Sequence, residues 1–236
     1  MNDKTTREHI VEVSDRLFYQ RGFEHTSFAD IAGVLQISRG NFYYHFKSKH
    51  ELLSAVIDAR LAETRAMLAR WEGEFPDPGA RIRRYIDILL VNRADIQRYG
   101  CPVGMLCSEL VRLRHGSRGQ ARAVFSLFQT WLARQFQLLG RAADADELAM
   151  HLIARSQGVA LMSNAFRDEP FVRHEVELLY DWLQACTRAG AVETGGVATA
   201  GKQPAATMKR VASGAQQGAK RPSERRGRKR SPLAGG

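Results

Sequence analysis

Five side chains that donate or accept hydrogen bonds lie within a seven-residue stretch of the chain: Arg39, Asn41, Tyr43, Tyr44 and His45. In a helix that begins at residue 39, Phe42 and Phe46 are spaced i, i+4 and point inward together. The five other side chains then lie on the outer face, which is too polar for a hydrophobic core. An exposed helical face with these groups favours contact with the base edges and phosphates of DNA.

Two short helices and a tight turn are expected to position this face. Ser27 and Asp30 have the spacing of a capping box, which predicts that the first helix begins after Ser27. After a turn at Gln36, Ser38 is expected to cap the second helix. A short helix, a turn and a second helix with donors on its outer face form a helix-turn-helix motif, which places its second helix in the major groove of DNA.

The charge of the chain is unevenly distributed. The 236 residues carry a formal net charge of +10, but ten Lys and Arg against two Glu after residue 190 account for +8, which leaves +2 for residues 1–190. Charge alone therefore does not indicate DNA binding by the folded part. The prediction depends on position instead, because Arg39, Lys47 and Lys49 cluster on and just after the second helix of the motif.

The hydrophobic pattern predicts an all-α fold of about nine helices, since no segment alternates as a β-strand does. We expect a three-helix helix-turn-helix domain over residues 1–50 and a helical domain over residues 51–190. A disordered basic tail is predicted for residues 191–236, because Gly, Ala, Ser, Gln, Lys and Arg dominate there. Its segment KRPSERRGRKR, residues 220–230, is either solvated or a tether for polyanions.

The start of the chain and its longest apolar runs indicate the cellular compartment expected for the protein. The first ten residues contain no apolar segment of the kind found in a signal peptide, and no apolar run is long enough to span a bilayer. We therefore expect a cytoplasmic protein with no contact with a membrane.

The last two predicted helices, from Asp144 to about Phe166 and from Pro170 to about Gly190, carry apolar residues at steps of three and four. This pattern has two interpretations: a face buried within the chain, or pairing with the same two helices of a second subunit in a four-helix dimer interface. The residues predicted for the dimer interface are Leu152, Val159, Met162, Val172, Val176, Leu179 and Leu183.

The N-terminal sequence also carries a longer pattern. In order and without gaps it reads Gly22-Phe23, Thr26-Ser27, Asp30-Ile31-Ala32, SRGNFYYHF over residues 38–46, and Lys47-Ser48-Lys49. In this pattern the chain resembles the TetR/AcrR family of bacterial transcriptional regulators. The resemblance covers about the first sixty residues; the later helices match the family's ligand-binding and dimerisation domain in number and length, and the tail lies outside it. One departure is Gln36, where the family usually has Gly with a positive φ, so that a side chain costs roughly 1 kcal/mol.

The resemblance implies roles for the matching positions in DNA binding. Arg39 is expected to read a guanine bidentately, Gly40 to let the backbone approach the duplex, and Asn41 to contact base or phosphate. Phosphate contacts are implied for Tyr43, His45 and Lys49, and the first motif helix with Thr26 offers amide donors to another phosphate. Tyr44 either faces DNA or packs against the first helix of the chain. The predicted DNA-binding residues are Thr26, Ser27, Ser38, Arg39, Gly40, Asn41, Tyr43, Tyr44, His45 and Lys49.

Members of this family generally repress transcription until a small molecule enters the C-terminal domain. A single helix-turn-helix reads only a few base pairs, so a homodimer on a palindromic operator is expected. The inducer is not identifiable from the residues. Candidate ligand contacts, each of which is otherwise ordinary core, are Tyr85, Tyr99, Cys101, Met105, Phe128, Trp131 and His151.

Three cysteines, Cys101, Cys107 and Cys186, form neither a disulfide framework nor a zinc-ligand pattern, and we expect no metal or cofactor. Cys101 precedes Pro102 at a predicted helix N-terminus, where the helix dipole favours a thiolate. An alternative function is therefore a regulator that senses oxidants or electrophiles through Cys101. The other interpretation is a small buried cysteine.

The same sequence bears on other classes of protein. The chain has no Glu-x-x-His carboxylate pairs, no phosphate-binding glycine loop and no nucleophile elbow, so we do not expect an enzyme. A nucleoid-type protein that coats DNA through its basic tail is the alternative from a different class.

Overall fold

The computed structural model describes residues 5–196, with side chains over 5–117 and 119–189. These residues form ten α-helices and no β-strand, which confirms the all-α prediction. The helices are α1 (Thr6–Arg21), α2 (Phe28–Leu35), α3 (Arg39–His45), α4 (Lys49–Glu74), α5 (Pro78–Val91), α6 (Arg93–Tyr99), α7 (Pro102–Arg112), α8 (Arg118–Leu138), α9 (Ala145–Phe166) and α10 (Glu169–Gly196).

The helix that the sequence pattern missed is α6. It is only seven residues long and begins directly after Asn92, where α5 ends. Gly100 ends it with φ 81°, a left-handed conformation that favours glycine, and Pro102 then occupies the first turn of α7. A break was predicted at these residues, but a helix this short has too few apolar positions to show a helical period.

Two hydrophobic cores lie along α4. The first is built by α1, α2, α3 and α4 as far as Ile57, and Leu106 and Leu110 of α7 complete it. The second is built mainly by α5, α8, α9 and α10, with Leu68 of α4 at its edge. We call α1 to α3 with residues 49–57 the head, and α5 to α10 the body. The long helix α4 thus connects them, and the head core continues past residue 50 into its first turns.

The residues predicted for a dimer interface lie mostly inside the body, so that prediction is wrong for six of the seven. The buried residues, each at most 5% exposed, are Leu152, Val159, Val172, Val176, Leu179 and Leu183. Met162 is 37% exposed. The periodicity of the last two helices therefore reflects packing within the chain, which was the other interpretation.

The C-terminal helix continues to Gly196, beyond the predicted end near Gly190 and into the segment predicted to be disordered. The remainder of the predicted tail, residues 197–236 with the basic segment at 220–230, lies outside the described residues. Within the described part, no helix is both long enough and apolar enough to cross a membrane.

Candidate nucleic-acid interface

The first motif helix begins at the predicted capping box. The Ser27 hydroxyl accepts a hydrogen bond from the Asp30 amide at 3.2 Å, and the Ser27 amide donates to the Asp30 carboxylate at 2.8 Å. Hydrogen bonds from the Ser27 side chain and backbone hold the pKa of Asp30 below its usual value. The carboxylate is therefore ionised at the positive end of the helix dipole, which favours a fixed start for α2.

The turn between α2 and α3 has the backbone conformation that the family resemblance implied. Gln36 adopts a left-handed conformation with φ 55°, and the Ile37 amide donates to the Ala32 carbonyl at 3.1 Å. A side chain in this conformation costs roughly 1 kcal/mol relative to glycine. Both helices of the motif are capped and packed, which offsets this cost.

The second motif helix, α3, is held in place by its buried face. Ser38 caps it by accepting from the Asn41 amide at 3.1 Å. Phe42 is 1% exposed with its ring centroid 4.4 Å from that of Phe28, and Phe46 is fully buried. A helix of seven residues has little stability of its own, so these aromatic contacts fix its orientation.

The outer face of α3 is open to solvent, as its composition predicted. Tyr44 is 76% exposed and Tyr43 48%, while His45 is half-buried. The alternative position for Tyr44, packed against the first helix, is not observed. The exposed residues on and beside this face are Ser38, Arg39, Gly40, Asn41, Tyr43 and Tyr44.

Thr26 is a wrong prediction among the candidate DNA contacts. Its side chain is completely buried, and its hydroxyl donates to the Gly22 carbonyl at 2.8 Å. Its amide is also used, because it donates to the Phe23 carbonyl at 3.3 Å. Thr26 therefore fixes the turn between α1 and α2 and has no donor for a phosphate. Only its match to the family pattern pointed to DNA.

Two lysines beside α3, Lys47 and Lys49, each donate a hydrogen bond to a backbone carbonyl. Lys49 is half-buried: its ammonium donates to the Glu24 carbonyl at 3.1 Å and lies 4.4 Å from the centroid of the Phe23 ring. Burial lowers the pKa of Lys49. The Lys47 ammonium donates to the Tyr43 carbonyl at 2.6 Å, at the C-terminal end of α3 where a cation is stabilised by the helix dipole.

These residues surround an open groove of about 520 Å³, which we call the head groove. Arg39 and Tyr43 of α3 line one side, Ser27 and Ala29 of α2 line another, and Lys49 lies at its edge. Cationic, phenolic and amide donors thus converge on one concave surface beside the exposed face of α3. This arrangement suits a phosphate of a nucleic-acid backbone.

Comparison with known proteins supports the same assignment. Residues 10–56 match the sequence profile of the bacterial regulatory proteins of the tetR family. An uncharacterized HTH-type transcriptional regulator in the lacX 3′ region of Lactococcus lactis is 31% identical over 186 residues, which cover 75% of this chain and 93% of that protein. The chain belongs to the TetR family.

Two further matches show how much of this chain is similar to known regulators. The HTH-type transcriptional regulator TtgR of Pseudomonas putida is 46% identical over 65 residues, 28% of this chain and 30% of TtgR. The crystal structure of a TetR transcriptional regulator from Legionella pneumophila aligns with a TM-score of 0.69 and 26% identity, covering 77% of this chain and 98% of that one. This TetR-family chain is thus a DNA-binding transcriptional regulator and not an enzyme.

Three of the residues predicted to contact a ligand pack in or against the body core. Tyr85 and Phe128 are core residues of the body, with ring centroids 5.3 Å apart, and burial raises the pKa of Tyr85. Trp131 donates from Nε1 to the Glu72 carboxylate at 2.9 Å, which satisfies its polar atom. These three side chains therefore pack in or against the core, which was the alternative interpretation of each.

The other ligand candidates are spread over different surfaces. His151 lies on the exterior of α9, with its ring 5.1 Å from that of Trp182. Cys101 is half-buried against the body core, whereas Tyr99 and Met105 line a groove between head and body. A single pocket containing all seven predicted residues is therefore wrong.

Cys107, the cysteine nearest to Cys101 in the sequence, is not activated as a thiolate. Burial raises the pKa of Cys107 to about 11, so this group is a thiol at neutral pH. Cys101 itself makes no side-chain hydrogen bond that caps α7. All three cysteines are reduced in this structure, and sensing through Cys101 stays a prediction.

Hydrogen bonds between head and body are the structural feature that sequence reasoning missed. Both oxygens of the Glu109 carboxylate on α7 accept from the head, one from the Phe23 amide and the other from the Glu24 amide, each at 2.9 Å. The Tyr19 hydroxyl of α1 donates to the Gly100 carbonyl at 2.7 Å. These partners are more than 80 residues apart in the chain, so no local pattern indicates them.

Replacing Glu109 with glutamine should loosen this contact without changing side-chain size. A glutamine offers one carbonyl oxygen where two amides now find acceptors, and its amide group opposes the second donor, at a cost of about 1–3 kcal/mol. We expect a lower free energy of unfolding and faster hydrogen exchange at the Phe23 and Glu24 amides. Glu63→Gln is the matched control, because Glu63 is exposed and makes no hydrogen bond within the described residues. Equal exchange in the two variants would contradict the assignment.

Proposed function

We propose that this TetR-family regulator is a repressor that binds a palindromic operator as a homodimer and leaves it when a small molecule binds. The observation that carries the proposal is the open outer face of α3, fixed by the Ser38 cap and by buried Phe42. Among the relatives of this chain, DhaR of Mycobacterium sp. (strain GP1) is named an HTH-type transcriptional repressor.

Each exposed residue of α3 has a chemistry that suits DNA. The Arg39 guanidinium forms the fork that matches the O6 and N7 acceptors of guanine. Packing within the chain does not require a glycine at position 40, since a Cβ there would meet only the Ser38 hydroxyl at 3.9 Å. Close approach of the backbone to the duplex would explain why this residue is a glycine. The Asn41 amide suits a base or a phosphate, and we expect Tyr43 and His45 to contact phosphates.

We infer a second copy of the chain as the partner, because a seven-residue helix such as α3 spans only part of a palindromic operator. The outer face of α9, opposite its buried seam, is apolar and composed partly of small residues that permit close approach of a second helix. This dimer face consists of Met150, Ala154, Gly158, Leu161, Met162 and Ala165, all exposed in the single chain. The proposed interface thus lies on the helical region that the sequence predicted for it, but on the face opposite to the predicted one.

In vitro selection of bound DNA with the wild type and with Arg39→Ala tests the proposal. The wild type should select a pseudo-palindrome, and the variant should lose preference at one position in each half-site, at a cost of about 1–3 kcal/mol. Arg39→Lys is the matched control: it keeps the charge but not the bidentate fork, so affinity should persist while specificity relaxes.

Footprinting of the full chain and of a chain ending at residue 196 separates this function from DNA coating. A discrete protected site that survives removal of residues 197–236 supports the repressor. Uniform protection that disappears with those residues would overturn it. An unchanged selected sequence in Arg39→Ala would show that Arg39 is not the residue that reads the guanine.

A further inference from the structure

A second groove, which we call the seam groove, lies between the head and the body and encloses about 520 Å³. That volume is in the range of small-molecule sites in proteins. Its walls come from α1 of the head and from α6, α7 and α9 of the body. His25 is the one residue that lines both this groove and the head groove, so the two grooves are adjacent.

The seam groove is strongly cationic although the first 190 residues are nearly neutral. Its lining contains Arg21, Arg60, Arg98 and Arg112 against Glu109, an excess of three positive charges. Arg60 is paired with Asp15, but Arg21, Arg98 and Arg112 form no ion pair with any side chain described over residues 5–117 and 119–189. The carboxylate of Glu109 is already engaged by two head amides. Three guanidinium groups therefore remain available to an anion.

Aromatic side chains stand beside these charges. The rings of Tyr19 and Tyr99 meet edge to face with centroids 5.4 Å apart, and the Arg98 guanidinium lies 5.2 Å from the centre of the Tyr99 ring. Met105, a flexible side chain that adapts to the shape of a bound molecule, and buried Leu106 add apolar surface. The groove thus combines an apolar and aromatic wall with guanidinium groups at its rim.

From this geometry we propose that the seam groove binds a small aromatic carboxylate. The ring of the ligand packs against Tyr99 and Met105, and its carboxylate accepts paired hydrogen bonds from Arg98 and Arg112. Such a molecule contacts α1 and α7 at once, beside the Glu109 and Tyr19 hydrogen bonds that join head and body. Binding there biases the position of the head, and this regulatory consequence rests on the proposed repressor function.

Calorimetric titration of the full chain with 2-naphthoate, with neutral 2-naphthamide as the matched probe, tests the site without DNA. We expect naphthoate to bind and the amide to bind about ten-fold or more weakly, since it lacks the charge. Arg98→Gln and Arg112→Gln should each weaken naphthoate binding by about ten-fold or more. Arg70→Gln is the control, because Arg70 is equally exposed on α4 but lies outside the groove. Thermal unfolding of each variant verifies that it is folded.

Equal affinity for the two probes, no binding of naphthoate at millimolar concentration, or undiminished binding by both arginine variants would overturn the site. Fluorescence anisotropy of the selected operator then tests the regulatory part: naphthoate should weaken operator binding by the wild type and not by Arg98→Gln. Binding that leaves operator affinity unchanged would overturn the regulatory part alone. Failure to select any operator would count against the repressor function and not against the site.

Discussion

Replacing Leu161 with arginine is expected to produce a folded monomer whose affinity for a palindromic operator is about 10²–10⁴-fold below that of the wild type. Leu161 is 58% exposed at the centre of the dimer face on α9. In the proposed dimer its side chain is buried against the second subunit, where an arginine would be desolvated without a partner. Two separate heads then lose the effective concentration that a dimer gives to the second half-site.

Leu138→Arg is the matched control for this prediction. Leu138, at the C-terminal end of α8, is 56% exposed and lies outside the dimer face, so the same change should leave mass and affinity as they are. Size-exclusion chromatography with light scattering gives the oligomeric state, and fluorescence anisotropy gives the affinity for the selected operator. A Leu161→Arg variant that stays dimeric would show that the second copy binds elsewhere.

The second large effect is expected from Phe42→Ala, which should lower the free energy of unfolding by about 3–5 kcal/mol. Phe42 is 1% exposed and contacts the rings of Phe28 and Phe46, so its removal leaves a cavity at the centre of the head core. The loss is a large share of the about 5–15 kcal/mol that stabilises a typical domain. Because α3 depends on this contact for its position, operator binding should disappear with it.

Tyr44→Ala separates the loss of packing from the loss of an aromatic ring. Tyr44 lies in the same helix but is 76% exposed, so its removal should change stability by no more than about 0.5 kcal/mol. Urea denaturation followed by circular dichroism measures both variants. If Phe42→Ala unfolds at the same urea concentration as Tyr44→Ala, the aromatic core does not hold α3.

The helix-turn-helix could be predicted from sequence because its determinants are local. The Ser27 capping box, the Ser38 cap and the i, i+4 spacing of Phe42 and Phe46 each act within one or two turns of helix. The left-handed conformation of Gln36 was implied only by the family resemblance, because no local pattern in this sequence indicates a positive φ at a glutamine. Interactions between residues close in the chain leave their pattern in the chain itself.

The local sequence pattern did not decide whether an apolar helix face packs within the chain or against a second subunit. Periodicity grouped Leu152 and Val159 on one face of a helix, but the same pattern fits burial in the chain and burial in a dimer. Only the packing of α9 against the rest of the body showed that this face is internal. The face available to a second copy is then the opposite one, around Leu161.

Sequence alone determined the helical class of this protein, its motif and the exposed residues of α3, since these depend on composition and short spacings. Tertiary structure decided that Thr26 is buried, that the predicted ligand residues are scattered, and that Glu109 joins the head to the body. These outcomes depend on contacts between segments far apart in the chain. Such contacts are fixed by the packing of all the helices together and leave no periodic trace in any one of them.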